Sequence, residues 1–201
     1  MLKRALCGLG LVLMPVAGFA QAVAPRLIEL QDGPLFRSTA DDLITAWRAC
    51  ANAVEGRGGT VDRGALMKMG WAPAVLAVDG KPLGDQSADM FFFKQDMSAM
   101  IVVGGQSCVV EGLVEDYSLS APLEQAIATY LQRIASARGV NYERRLVNGR
   151  HNFGAPYTGK AFFAVSLSYG RDSSLLELFS RSLGGMKAIK ILTLDKYRNK
   201  E

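Results

Sequence analysis

A chain of 201 residues with 23 Lys/Arg against 19 Asp/Glu carries a formal charge of +4, and 49% of it is hydrophobic. That length suits one core of ordinary size. The charge is too small for a nucleic-acid footprint, which needs Lys and Arg gathered on one face. The densest basic clusters, Arg144–Arg145–Arg150 and the tail after Asp195, read as solvated surface.

Residues 1–22 combine a basic start (Lys3, Arg4), an apolar run and Ala20-Gln21-Ala22. That is the pattern of a cleaved secretory signal. A membrane anchor needs about 20 predominantly apolar residues, and this run is broken by Gly8, Gly10, Pro15 and Gly18. Cleavage is expected before Val23, leaving a single globular α+β domain over 23–201. Loss of Lys3 and Arg4, with no acid, takes the charge from +4 to +2. A periplasmic or secreted location follows, with no stable membrane insertion after cleavage.

The stretch STADDLITAWRACANAVEG, 38–56, opens with Ser38/Thr39 followed by Asp41/Asp42, a helix-start signal. Leu43, Trp47, Cys50 and Val54 then recur at helical spacing, and Gly56 suits the end of the helix. A shorter helix is expected within TVDRGALMKMGW, stopped at Gly70. The period then changes. DMFFFK, SAMIVVG and SCVVEGL are short runs rich in aromatic and β-branched residues, with Gly104-Gly105 as a turn signal. They predict a three-stranded antiparallel meander with Cys108 near the start of its third strand. Cys50 and Cys108 are the two cysteines left after cleavage. In an oxidising compartment they read as one disulfide tying the first helix to that strand.

SAPLEQAIATYLQRIASARG, 120–139, predicts a long helix, with Ser120 as cap and Leu123, Ile127, Leu131 and Ile134 as its buried stripe. Between it and the meander lie Glu115 and Asp116, a carboxylate pair of the kind glycosidases use. Neighbours on a strand point apart, so the dipeptide alone makes no facing pair.

Gly154-Ala-Pro-Tyr-Thr-Gly159-Lys160 is one residue short of a phosphate loop. Ala161 stands where the magnesium-binding hydroxyl belongs, and AFFAVSLSY alternates like a strand where a helix is required. No nucleotide site is expected. His151, the single histidine, has no G-x-S-x-G, H-E-x-x-H or S-x-x-K companion, and an exposed loop is expected for it. DSSLLELFSRSLGG predicts a further helix. MKAIKILTLD predicts a terminal strand, with Lys187 and Lys190 guarding a sheet edge.

The fold expectation is α+β: a mainly antiparallel sheet with helices packed on one face and one disulfide. Functionally, the chain reads as a non-enzymatic module binding a protein or envelope component, of inhibitor or immunity type among other options. It would contact its partner through Arg150, His151, Phe153 and Tyr157. The alternatives are a small secreted hydrolase using His151 or Glu115/Asp116, and an envelope assembly factor. No cofactor, metal or nucleic-acid partner is expected.

Overall fold

The computed structural model describes residues 25–29, 37–82, 90–147, 150–155, 161–169 and 186–197. The expected signal segment, Tyr157 and the helix expected from DSSLLELFSRSLGG lie outside the described residues.

The first helix, α1 (Ala40–Val54), begins as its sequence requires. Thr39 adopts extended backbone, its Oγ1 accepts from the Asp42 N–H, and the Asp42 carboxylate accepts from the Thr39 N–H. Two of the amides orphaned at a helix start are thus satisfied reciprocally. Leu43, Trp47, Cys50 and Val54 are all buried, and the chain leaves through Gly56 at φ +73°. The second helix, α2 (Arg63–Lys68), is capped by Asp62 and ended at Gly70 with φ +84°. The third, α3 (Ser120–Arg138), buries Leu123, Ile127, Leu131 and Ile134 and stops at left-handed Gly139. Its start differs from expectation. Ser120 is already helical, and Leu119 holds the cap position without a side-chain bond. The Ser120 N–H closes a turn onto the Tyr117 carbonyl at 3.0 Å, which draws the chain into helix one residue early.

The meander is β4 (Phe91–Phe93), β5 (Met100–Gly104) and β6 (Ser107–Val114), antiparallel throughout. The sheet extends well beyond it. On one side β2 (Ala72–Val78) pairs with β4, with the short β3 (Lys81–Pro82), and in parallel with β1 (Arg26–Glu29). On the other come β7 (Glu143–Val147), β8 (Arg150–Ala155), β9 (Ala161–Tyr169) and β10 (Lys187–Tyr197). The order is β1-β2-β4-β5-β6-β10-β9-β8-β7, mostly antiparallel. The last strand is therefore not the edge that Lys187 and Lys190 suggested. It is paired on both sides, and each lysine is accommodated there: Lys190 Nζ lies 3.7 Å from Glu111 on β6, and Lys187 sits over the Tyr117 ring.

Alternation along the strands divides the buried side chains. Cys108, Val110 and Val114 of β6, Phe153 of β8, Phe163, Val165 and Leu167 of β9, and Ile189 and Ile191 of β10 pack in one cluster with the helices. Ile28, Leu76, Phe91, Phe93, Met100 and Leu113 form a second. Two devices seat α1 on β6. Cys50 and Cys108 are bonded, with their Cα atoms 5.4 Å apart, inside the range a disulfide spans. Near the other end of the helix, a Cβ at Gly112 would collide with Ser38 Oγ and come within 2.7 Å of Leu43 Cδ2. Only glycine lets the helix start approach so closely. A third anchor is Asp195, fully buried on β10, which accepts from the Gly56 N–H at 2.6 Å and from both terminal nitrogens of Arg138 at 3.3 and 3.0 Å.

Replacing Cys50 and Cys108 together by alanine should lower stability by about 4 kcal/mol, from the entropy of the loop they close, whose ends are 58 residues apart. Calorimetry should show a markedly lower melting temperature with a folded baseline retained. An unchanged transition would mean the bond contributes nothing.

A second test concerns pH. Burial holds the Glu111 carboxyl above its ordinary value of 4.5, against the pull of Lys190. A carboxyl whose folded value is raised stabilises the fold below the ordinary value and loses that contribution as pH rises through the folded one. Glu111→Gln should therefore flatten the decline of stability above pH 4.5, read as urea midpoints across pH. A steeper decline in the variant would contradict this.

Candidate functional site

Of the sequence candidates, His151 near the start of β8 and Glu115 and Asp116 after β6 lie toward one end of the sheet. There β6 ends, β10 begins, β9 ends, and α1 and α3 both start. His151 is on β8, paired with Leu146 and Leu167, and not on the exposed loop expected of it. Its side chain is 23% exposed. Phe153, two residues on, points the same way but is buried beneath the Arg144 guanidinium, 5.4 Å from the ring centre. Arg150 opens β8, and only its backbone is described.

His151 belongs to a network. Glu124, on the first full turn of α3, forms an ion pair with Arg144 of β7. Arg144 Nη2 lies 3.1 Å from His151 Nδ1. Arginine only donates, so Nδ1 accepts and the proton of the neutral ring resides on Nε2. Nε2 faces Glu124 Oε1 at 3.6 Å, and the Tyr169 hydroxyl donates to the same oxygen at 3.4 Å. Burial, reinforced by the Glu124 charge, pushes the Tyr169 phenol well above its usual range. Neither ring nitrogen is left with the free lone pair a general base uses. The network holds β7, β8, β9 and α3 together.

Aromatic contacts continue the strip. Tyr169 meets His151 edge-on at 6.0 Å and Tyr117 at 5.2 Å, and Lys187 Nζ lies 4.9 Å from the Tyr117 ring centre. Beyond Tyr117 a cavity of about 300 Å³ opens, lined by Arg37, Ser38, Thr39, Val114, Glu115, Asp116, Ser118 and Leu119. Glu115 and Asp116 both line it because the chain has left β6 at Val114, so strand alternation no longer turns them apart. Glu115 pairs with Arg37 at 3.3 Å, both largely exposed. The Ser118 hydroxyl and N–H hold the Asp116 carboxyl below its ordinary range. Ser38 is buried at the inner wall, its hydroxyl donating to the Ser98 carbonyl and its N–H to the Leu113 carbonyl at 2.7 Å.

Acid–base cleavage of a glycoside needs one carboxyl kept protonated, and burial is what does so. Here Glu115 is 68% exposed and Asp116 is held ionised. Among the described residues no group of three His, Cys, Asp or Glu is placed to hold a metal ion, and no helix is long and apolar enough to cross a membrane. The near-phosphate loop runs through residues outside the description, and β9 follows it as a strand.

Glu124, Arg144, Tyr117 and Tyr169 were not legible as site residues. Glu124 adjoins buried Leu123 on a helix and reads as an ordinary flank. Arg144 reads as surface charge until β7 and β8 are recognised as a hairpin. Comparison with family models, curated proteins and solved structures found no match for this chain.

Truncating Glu124→Ala would strand the partners of one carboxylate, Arg144 and the Tyr169 hydroxyl. The cost should be about 1–3 kcal/mol in chemical denaturation, with smaller loss for Glu124→Gln. A loss below about 0.5 kcal/mol in both variants would show that the polar network contributes nothing.

Proposed function

We propose that the chain is exported, loses residues 1–22, and serves as a single-domain, non-enzymatic module that binds a protein or envelope component. The helices on one face of the sheet frame the contact surface, the rim from His151 through Tyr169, Tyr117 and Lys187 to the cavity. One observation carries this reading. Along the described rim the rings of Tyr169 and Tyr117, the Lys187 ammonium and the cavity bordered by Glu115 and Asp116 lie side by side. A surface of that kind offers aromatic area and fixed hydrogen-bonding groups, which suits recognition. The disulfide fits an oxidising compartment.

The test has two parts. Amino-terminal sequencing of protein recovered outside the cytoplasm should read from Val23. The mature domain should bind an envelope extract saturably, and Tyr117→Ala with Lys187→Ala should weaken that binding about tenfold or more while the melting temperature holds. Turnover of an ester, peptide or glycoside substrate, abolished by His151→Ala or by Glu115→Gln with Asp116→Asn, would replace this reading with a hydrolase.

A further inference from the structure

The cavity beside Tyr117 restricts its own ligand chemistry. Its walls carry the Ser38, Thr39 and Ser118 residues, the Glu115 and Asp116 carboxylates and the Arg37 guanidinium, over an apolar floor of Val114 and Leu119. An anionic ligand would meet two carboxylates against one guanidinium, and that guanidinium is already paired with Glu115. A hydrocarbon ligand would desolvate the carboxylates with nothing in return, which is unfavourable. A peptide strand needs an open backbone edge or a deep apolar anchor. Among the described residues neither is present here, because β6 is flanked by β10 on one side and by the Ser38 N–H, bonded to the Leu113 carbonyl, on the other.

What remains is a neutral molecule with many hydroxyls and one less polar face. The carboxylates accept from adjacent hydroxyl donors, the Ser118 hydroxyl retains acceptor capacity, and the guanidinium donors of Arg37 beyond its Nε contact with Glu115 reach ring or linkage oxygens. The C–H face of the ligand covers Val114 and Leu119. At about 300 Å³ the cavity is at the small end of ligand pockets, which run roughly 300–1,000 Å³. That suits a terminal unit, with the rest of a chain passing the ring of Tyr117. We infer that the cavity at the starts of α1 and α3 binds a saccharide unit of a neutral glycan, held by Asp116, Glu115 and Ser118. The inference rests on the binding-module reading and names its ligand class.

The probes are two neutral oligosaccharides, chitotetraose and maltotetraose, titrated into the mature domain and followed by amide chemical shifts. The expected result is saturable movement of Thr39, Ser118 and Leu119 by at least one of them, with Kd of about 1 mM or tighter. Asp116→Ala and the cavity-filling Ser118→Phe, both at exposed positions, should weaken it about tenfold or more. Lys81→Ala, on β3 at the far side of the sheet, should not. Absence of saturable shifts with both sugars overturns the inference. So does saccharide binding that survives Ser118→Phe, or the same shifts produced by inorganic phosphate or by a neutral tetrapeptide. If the sugars fail while envelope binding stands, the ligand class alone is wrong; if both fail, the binding-module reading falls with it.

Discussion

The seating of α1 on β6 is the constraint on which the rest of the molecule depends. A helix can lie on a sheet at many heights and angles, and here it is fixed by chemistry at both ends. Toward its C-terminal half the Cys50–Cys108 bond sets the separation covalently. At its start the missing side chain of Gly112 lets Ser38 and Leu43 settle directly onto the strand backbone. One anchor prevents withdrawal and the other permits approach. Together they place Ser38 and Thr39 against the end of β6, so the inner wall of the cavity is a consequence of how the core is stapled.

The two ends of the helical layer handle charge in opposite ways. At the end where α1 and α3 finish, Asp195 is wholly buried and is satisfied by the Gly56 amide and by a two-pronged contact from Arg138. A carboxylate removed from water is tolerable only when hydrogen-bonded so completely, and such a group holds structure together. At the end where both helices start, Glu115, Arg37 and Asp116 remain in solvent. Pairs of that kind add little stability. On the binding-module reading proposed above, their arrangement around a cavity serves contact rather than support.

Much of the helical layer was legible in the sequence. Leu43, Trp47, Cys50 and Val54, and then Leu123, Ile127, Leu131 and Ile134, recur with a period that admits one reading, and the Phe91–Phe93 run with its two successors reads as a meander. The disulfide followed from arithmetic on two cysteines. The rest of the sheet was hidden for physical reasons. ERRLV and RHNFGA carry charged residues and a glycine where a strand signal needs alternating apolar ones, so no such alternation announces them. β10 was mistaken for an edge because lysine is a common guard there, whereas Glu111 and the Tyr117 ring, distant in sequence, receive Lys190 and Lys187 within the sheet.

The rim was the least legible part because it is assembled from chain breaks. Arg37 to Thr39 precede a helix, Glu115 to Leu119 lie between a strand and a helix, Tyr169 and Lys187 sit at strand ends, and Glu124 is one turn into α3. Each has a sufficient local explanation: cap, turn, flank, surface charge. Only the order β6-β10-β9-β8 brings them side by side. The same order gives His151 its character. On a loop it would have been a free imidazole. On β8, between Arg144 on the neighbouring strand and Glu124 on the helix above, its Nδ1 lone pair is already given to arginine. Topology thus gives the lone histidine two partners from separate elements, with Tyr169 and Tyr117 standing between it and the cavity.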